Sequence, residues 1–145
     1  MTKALYTARA HVTGGRAAGH GRSADGRLDV QLRLPQEMGG NGDGTNPEEL
    51  FAVGYAACFE GVLGAVSRRR ELELGDIAID SQVSLIPDGK GGLSLAVVLD
   101  VSLGAIEDPA SAVAIVREAH EMCPYSNATR GNIAVSLSAN GAPLD

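Results

Sequence analysis

The chain reads as an α+β protein, and three observations carry that reading. A long apolar helix over residues 46–70 opens on strong start signals. Three segments, Leu28–Leu34, Ile77–Ile86 and Leu93–Leu103, alternate or run apolar as strands do. Strands and helices come in groups instead of strict alternation, which favours antiparallel pairing over a doubly wound sheet. The expected architecture is therefore antiparallel sheets around a long buried central helix. At 145 residues, without repeat, linker or low-complexity tail, the chain is expected to form a single domain over 1–145.

Each element has a local reason. Leu5–Val12 reads as a strand that Gly14-Gly15-Arg16 breaks, and Ala17–Gly26 is a polar, Gly-containing stretch. Leu28–Leu34 alternates as a half-buried strand, and Pro35–Thr45 is a glycine-rich loop. Asn46 is a preferred N-cap, Pro47 suits the first helical position, and Glu48 and Glu49 complement the dipole in the first turn. Between Leu50 and Val66 only Glu60 is charged, so this helix is expected to be buried nearly all round. Arg68-Arg69-Arg70 at its end complements the dipole. Pro87–Gly92 is a hairpin turn signal between the next two strands. Asp108 caps a second helix that starts at Pro109 and turns Ala112, Val113, Ile115, Val116 and Ala119 inward. Pro124 stops it near Met122 or Cys123, and Ile133–Leu137 is a last short strand.

Charge and composition exclude several function classes. A net charge of −6 argues against nucleic acid and anionic membrane as partners. No apolar run is read as approaching the roughly 20 residues that span a bilayer. The opening Met-Thr-Lys-Ala-Leu-Tyr lacks a signal-peptide core, so a cytoplasmic location is expected. Gly39–Gly44 lacks the Gly-Lys-Ser/Thr ending of a phosphate loop, and no Gly-x-Ser-x-Gly elbow occurs. His120 lies one turn before Cys123, but with three histidines and no Cys-x-x-Cys a metal site is not expected.

The two cysteines carry the chemistry. In a reducing compartment they are either inert buried thiols or a redox couple. Cys58 sits mid-helix beside Phe51, Tyr55 and Phe59 at i, i+4 and i+8, and Tyr125 follows Cys123 by two residues. That stripe fits ordinary core packing, and it equally fits an apolar pocket for a hydrocarbon tail. A thiol in such surroundings has a raised pKa and becomes a nucleophile only beside a cation. Arg16 on its Gly-Gly turn is a candidate supplier, oriented by Glu48 through a bidentate pair. Glu48 lies ten residues before Cys58, about 15 Å along a straight helix. Arg16 must therefore bridge the gap, or Glu48 serves a second chain, and a homodimer with sites at its interface is expected. Cys123, at a helix C-terminus, suits a partner that condenses with a sulfenic acid formed elsewhere.

Asn46-Pro47-Glu48-Glu49-Leu50-Phe51-Ala52-Val53-Gly54-Tyr55-Ala56-Ala57-Cys58-Phe59 resembles the first cysteine motif of the organic hydroperoxide resistance (Ohr) proteins. His120-Glu121-Met122-Cys123-Pro124-Tyr125-Ser126-Asn127-Ala128-Thr129-Arg130-Gly131-Asn132 resembles their second. Tyr6-Thr7-Ala8 and Gly14-Gly15-Arg16 match as well, so the likeness covers essentially the whole chain. Tyr-Ser-Asn-Ala after Cys-Pro favours Ohr over the sister OsmC group, while Glu49 stands where many Ohr proteins carry glutamine.

The resemblance implies an OsmC/Ohr-like α+β fold in an intertwined homodimer, without metal, haem, flavin or other bound cofactor. It implies Cys58 as peroxidatic thiolate, Cys123 as resolving thiol, Arg16 as stabiliser of the thiolate and Glu48 as the group positioning Arg16. It further implies organic hydroperoxides, including those of fatty acids, as substrates, and dihydrolipoyl groups on a lipoylated protein as external reductant. Two alternatives stay open on the residues alone. One is a redox sensor or binding module using the same disulfide without sustained turnover, and the other is a pair of unreactive buried thiols.

Overall fold

The computed structural model describes residues 2–144. Its backbone groups into two compact units, one ending at Leu50 and one starting at Phe51.

The first unit is built on a three-stranded antiparallel sheet in the order β1 (Ala10–Thr13), β2 (Gly19–Ser23), β3 (Asp29–Arg33). Between β1 and β2 lies the short helix α1 (Gly15–Ala18), where the sequence pointed only to a break. Gly14 and Gly15 have φ of +77° and +68°, a left-handed geometry that glycine adopts without penalty. A Cβ on Gly14 would lie 2.6 Å from the Ala18 carbonyl oxygen, so the turn also needs glycine for space. Strand β2 falls inside the segment read as an irregular polar stretch. Gly-His-Gly-Arg-Ser holds no β-former, and pairing to a strand on each side makes it a strand nonetheless. Residues 34–45 form the expected loop, with one 3-10 turn at Gln36–Met38.

Helix α2 (Pro47–Arg70) starts where Asn46 and Pro47 predict. The Asn46 side chain accepts from the Glu49 N–H at 2.8 Å, while the Glu49 carboxylate takes the Thr45 hydroxyl at 2.7 Å. The helix is not buried all round in this chain. Only Tyr55, Phe59, Leu63 and Val66, one stripe at helical spacing, are fully buried, and Val53 is 70% exposed. By length and composition α2 could also cross a membrane, contrary to the reading that no segment is apolar enough. Its buried stripe is packed in the core of the second unit.

That unit carries a mixed sheet in the order β4 (Ile77–Pro87), β5 (Leu93–Leu103), β6 (Ala134–Ala139), β7 (Ala142–Pro143). The β4–β5 hairpin is antiparallel, and Asp88 Oδ1 closes its turn by accepting from the N–H groups of Lys90 and Gly92. Strand β6 lies parallel to β5, against the expectation of antiparallel pairs throughout. The connection through α3 (Pro109–Met122) is long enough to return the chain in the same direction. Helix α3 has the cap the sequence predicts, with Asp108 accepting from the Ser111 N–H, and buries Ala112, Ile115, Val116 and Ala119. These pack with the α2 stripe and with Val97, Leu99, Val101 and Leu103 in one apolar core. Arg69 and Arg70, expected as dipole complements, also bind Glu118 of α3 at 3.1 and 2.9 Å.

Candidate active site

The structure brings the singled-out residues together as two pairs. In the first unit, Arg16 on α1 meets Glu48 in the first turn of α2. Nη1 alone makes the contact, lying 3.1 Å from Oε1 and 3.2 Å from Oε2. The pairing is the expected one, but it is one nitrogen between two oxygens and not the parallel two-arm fork. Glu48 is 15% exposed and Arg16 39%, so the carboxylate is the anchored partner.

In the second unit, Cys58 and Cys123 are free thiols with their sulfurs 3.9 Å apart. Cys123 is fully buried and Cys58 half-buried. A disulfide needs the sulfurs to close from 3.9 Å to about 2.05 Å. Cys58 sits on α2, where successive turns stack its side chain over the core stripe. Cys123 closes α3 and at once opens a further helix, α4 (Pro124–Thr129). The sequence predicts no helix there, and Cys123 therefore stands at the end of one helix and the start of another instead of at a helix C-terminus alone.

The surroundings of Cys58 pull its ionisation in opposite directions. Burial pushes the thiol above its ordinary value, and the neighbouring Cys123 pushes it further. The backbone N–H of Tyr125 hydrogen-bonds the sulfur and favours the thiolate. This donor is available because Tyr125 lies in the first turn of α4, where amides have no partner within the helix. No side-chain pattern announces such a group. Within this unit the rise prevails.

Beside the pair lies an open apolar cavity of about 450 Å³, lined by Phe51, Leu95, Pro124, Tyr125, Ala128, Thr129, Asn132 and Ile133. Phe51 and Tyr125 meet edge to face with centroids 5.9 Å apart, as aromatic quadrupoles prefer. The other two aromatics of the expected pocket are placed differently. Tyr55 and Phe59 are 0% exposed and absent from the lining, so they are core residues. Tyr55 still shapes the wall from behind, its ring 5.5 Å from that of Tyr125.

Comparison with known proteins agrees with this arrangement. Residues 40–138 match the family described as OsmC-like protein. The chain is 50% identical over 140 residues to the organic hydroperoxide resistance protein of Xanthomonas axonopodis pv. citri, covering 94% of this chain and 95% of that protein. It is 47% identical to the organic hydroperoxide resistance protein OhrB of Bacillus subtilis, over 92% of this chain and 97% of the relative. Among solved structures, an organic hydroperoxide resistance protein from Legionella pneumophila superposes with a TM-score of 0.89 at 46% identity, covering 94% of this chain and 98% of that one. With likeness of this extent in sequence and fold together, the chain belongs to the organic hydroperoxide resistance (Ohr) group of the OsmC-like family.

Proposed function

We propose that the chain is a two-cysteine peroxidase for organic hydroperoxides. One observation carries the reading: Cys58 and Cys123, reduced and 3.9 Å apart, share Tyr125 with an apolar cavity sized for a hydrocarbon. The Cys58 thiolate attacks the terminal oxygen of R–O–OH. The O–O bond breaks, sulfur becomes Cys58–SOH, and the alkoxide leaves as the alcohol after taking one proton. Cys123 sulfur then attacks Cys58 sulfur. The S–O bond breaks, hydroxide leaves as water with the Cys123 proton, and a disulfide remains. A dithiol restores both cysteines by exchange, supplying two electrons and two protons, and dihydrolipoyl groups on a lipoylated protein are the proposed donors. The cycle asks for no bound cofactor.

Phe51 and Tyr125 would receive the substrate's apolar part, which favours an alkyl or acyl hydroperoxide over hydrogen peroxide. Arg16 is the proposed stabiliser of the thiolate and Glu48 the residue holding it. The support is the observed Arg16–Glu48 pair and the need of a buried thiol for a cation. The working form is proposed to be a homodimer, since α2 leaves Val53 and its neighbours uncovered in one chain.

The test is peroxide consumption with cumene hydroperoxide and dihydrolipoamide. The parent protein is expected to turn over repeatedly, Cys58→Ser to fall to background, and Cys123→Ser to complete one turnover and then over-oxidise. A Cys58→Ser protein consuming peroxide at the parent rate overturns the proposal. Stoichiometric disulfide formation with no turnover under any dithiol would indicate a redox sensor instead.

A further inference from the structure

A second polar group threads the second unit without touching the reacting sulfurs. Tyr55 is 0% exposed, and its hydroxyl lies 2.8 Å from Ser126 Oγ and 3.2 Å from Thr129 Oγ1. Ser126 Oγ, equally buried, lies 2.8 Å from His120 Nδ1. Counting protons gives the chain one direction. The Thr129 hydroxyl donates to the Ser126 carbonyl at 3.3 Å, so its oxygen accepts from Tyr55. The Tyr55 oxygen then accepts from the Ser126 hydroxyl, and the Ser126 oxygen accepts from the His120 Nδ1–H. Every hydroxyl donates once and accepts once. Nε2 of His120 is left as the ring's acceptor, and the side chain lines an outer polar cleft with Ser136 and Arg117.

The three side chains sit at positions that matter to both sulfurs. Tyr55 precedes Cys58 by three residues on α2, His120 precedes Cys123 by three on α3, and Ser126 follows Cys123 by three on α4. The bonds therefore fix Cys123 from both sides and tie it to the turn bearing Cys58. Apolar residues of similar shape would fill this core at no greater cost. Directional bonds do what such packing cannot, because they resist small slips between helices. The 3.9 Å between the sulfurs is a distance that such slips would change.

We infer that His120, Ser126 and Tyr55 are positioning residues for resolution: their hydrogen-bond chain holds Cys123 within reach of Cys58 and decides whether an oxidised Cys58 closes to a disulfide or oxidises further. This rests on the peroxidase reading above.

The experiment compares Tyr55→Phe, Ser126→Ala, His120→Leu and His120→Asn with the parent by two readouts. The first is the ratio of disulfide to sulfinic acid after one dose of cumene hydroperoxide, measured by intact mass. The second needs no peroxide: the equilibrium of the Cys58–Cys123 disulfide with reduced and oxidised dithiothreitol. Tyr55→Phe, Ser126→Ala and His120→Leu are expected to lower both by about fivefold, the change made by one ordinary hydrogen bond. His120→Asn keeps a donor near the Nδ1 position and is expected to restore both toward the parent. The His120 pair keeps the test available should Tyr55→Phe or Ser126→Ala fail to fold, because His120 reaches the surface. Parent-like values in His120→Leu, or equal losses in His120→Leu and His120→Asn, overturn the inference. A parent that forms no disulfide with peroxide yet equilibrates with dithiothreitol would overturn the peroxidase reading alone.

Discussion

Cys58 is held between burial, which disfavours its thiolate, and the Tyr125 amide, which favours it. Burial prevails within its own unit, so a thiolate at neutral pH would need a further cation beside it. If Arg16 is that cation, Arg16→Gln raises the apparent pKa of Cys58. Its alkylation by iodoacetamide at pH 7 then falls by about tenfold for each unit of rise. Glu48→Gln should produce a smaller shift in the same direction, because it frees the guanidinium without removing it. The check is the pH dependence of alkylation for both variants and the parent, and superposed profiles would remove Arg16 from the mechanism. His120 titrates with the opposite consequence for the fold. Burial and the Arg130 charge lower its pKa below 6.5, against a weaker opposing pull from Glu121. The unfolded chain therefore binds more protons than the folded one just below pH 6.5, and stability falls as pH drops through that window. His120→Asn should flatten this fall in urea unfolding between pH 7 and 5.

At the scale of elements, the caps and one glycine decide how firmly α2 presents its cysteine. Asn46 satisfies the Glu49 N–H at the helix start, and Asn46→Ala should cost about 1 kcal/mol in urea unfolding. Gly54 sets two effects against each other. Alanine is worth up to about 1 kcal/mol more than glycine in a helix interior. Its Cβ would, however, lie 2.8 Å from the Tyr125 hydroxyl oxygen and 3.4 Å from the ring carbon bearing it. Tyr125 is 37% exposed and can turn away, so the steric side is relieved by ring movement and not by helix distortion. Gly54→Ala should hold or raise the melting temperature while raising KM for cumene hydroperoxide, since the displaced ring lines the cavity. A lowered melting temperature with unchanged KM would mean the helix yielded instead. The same elements show what a sequence can carry. The starts of both long helices were legible to the residue because Asn46-Pro47 and Asp108-Pro109 are local signals, acting within one turn. Strand β2 and helix α4 were not: one is made by its neighbours, and the other is only six residues long and starts at the proline that ends α3. The site divides likewise. The cysteines and the Arg16–Glu48 pair were found through motif and charge. The Tyr125 amide carries no side-chain signature, and Tyr55 and Ser126 are 71 positions apart.

Charge and apolar surface are unevenly divided over the whole molecule. Residues 1–50 hold six cations and six carboxylates, so the entire net charge of −6 lies in residues 51–145. A surplus of one sign keeps a protein soluble and opposes self-association. The exposed face of α2 argues the other way. Val53 at 70% exposure, Ala57 and Gly61 recur every four residues on that face, with small side chains that allow close helix approach. Only Glu60 interrupts the apolar run between Leu50 and Val66. Apolar burial is short-ranged and insensitive to salt, whereas repulsion between surface charges is screened over about 8 Å at physiological ionic strength. Association should therefore prevail in ordinary buffer and strengthen slightly with salt. Val53→Glu adds a charge at the centre of that face and should convert a dimer into a monomer in sedimentation velocity at micromolar concentration. If the two sites need both chains, sustained peroxide turnover disappears in the same variant, while dithiothreitol still equilibrates Cys58 with Cys123 within each chain. A parent protein that sediments as a monomer with full turnover would show that one chain suffices, and that the exposed face of α2 serves another purpose.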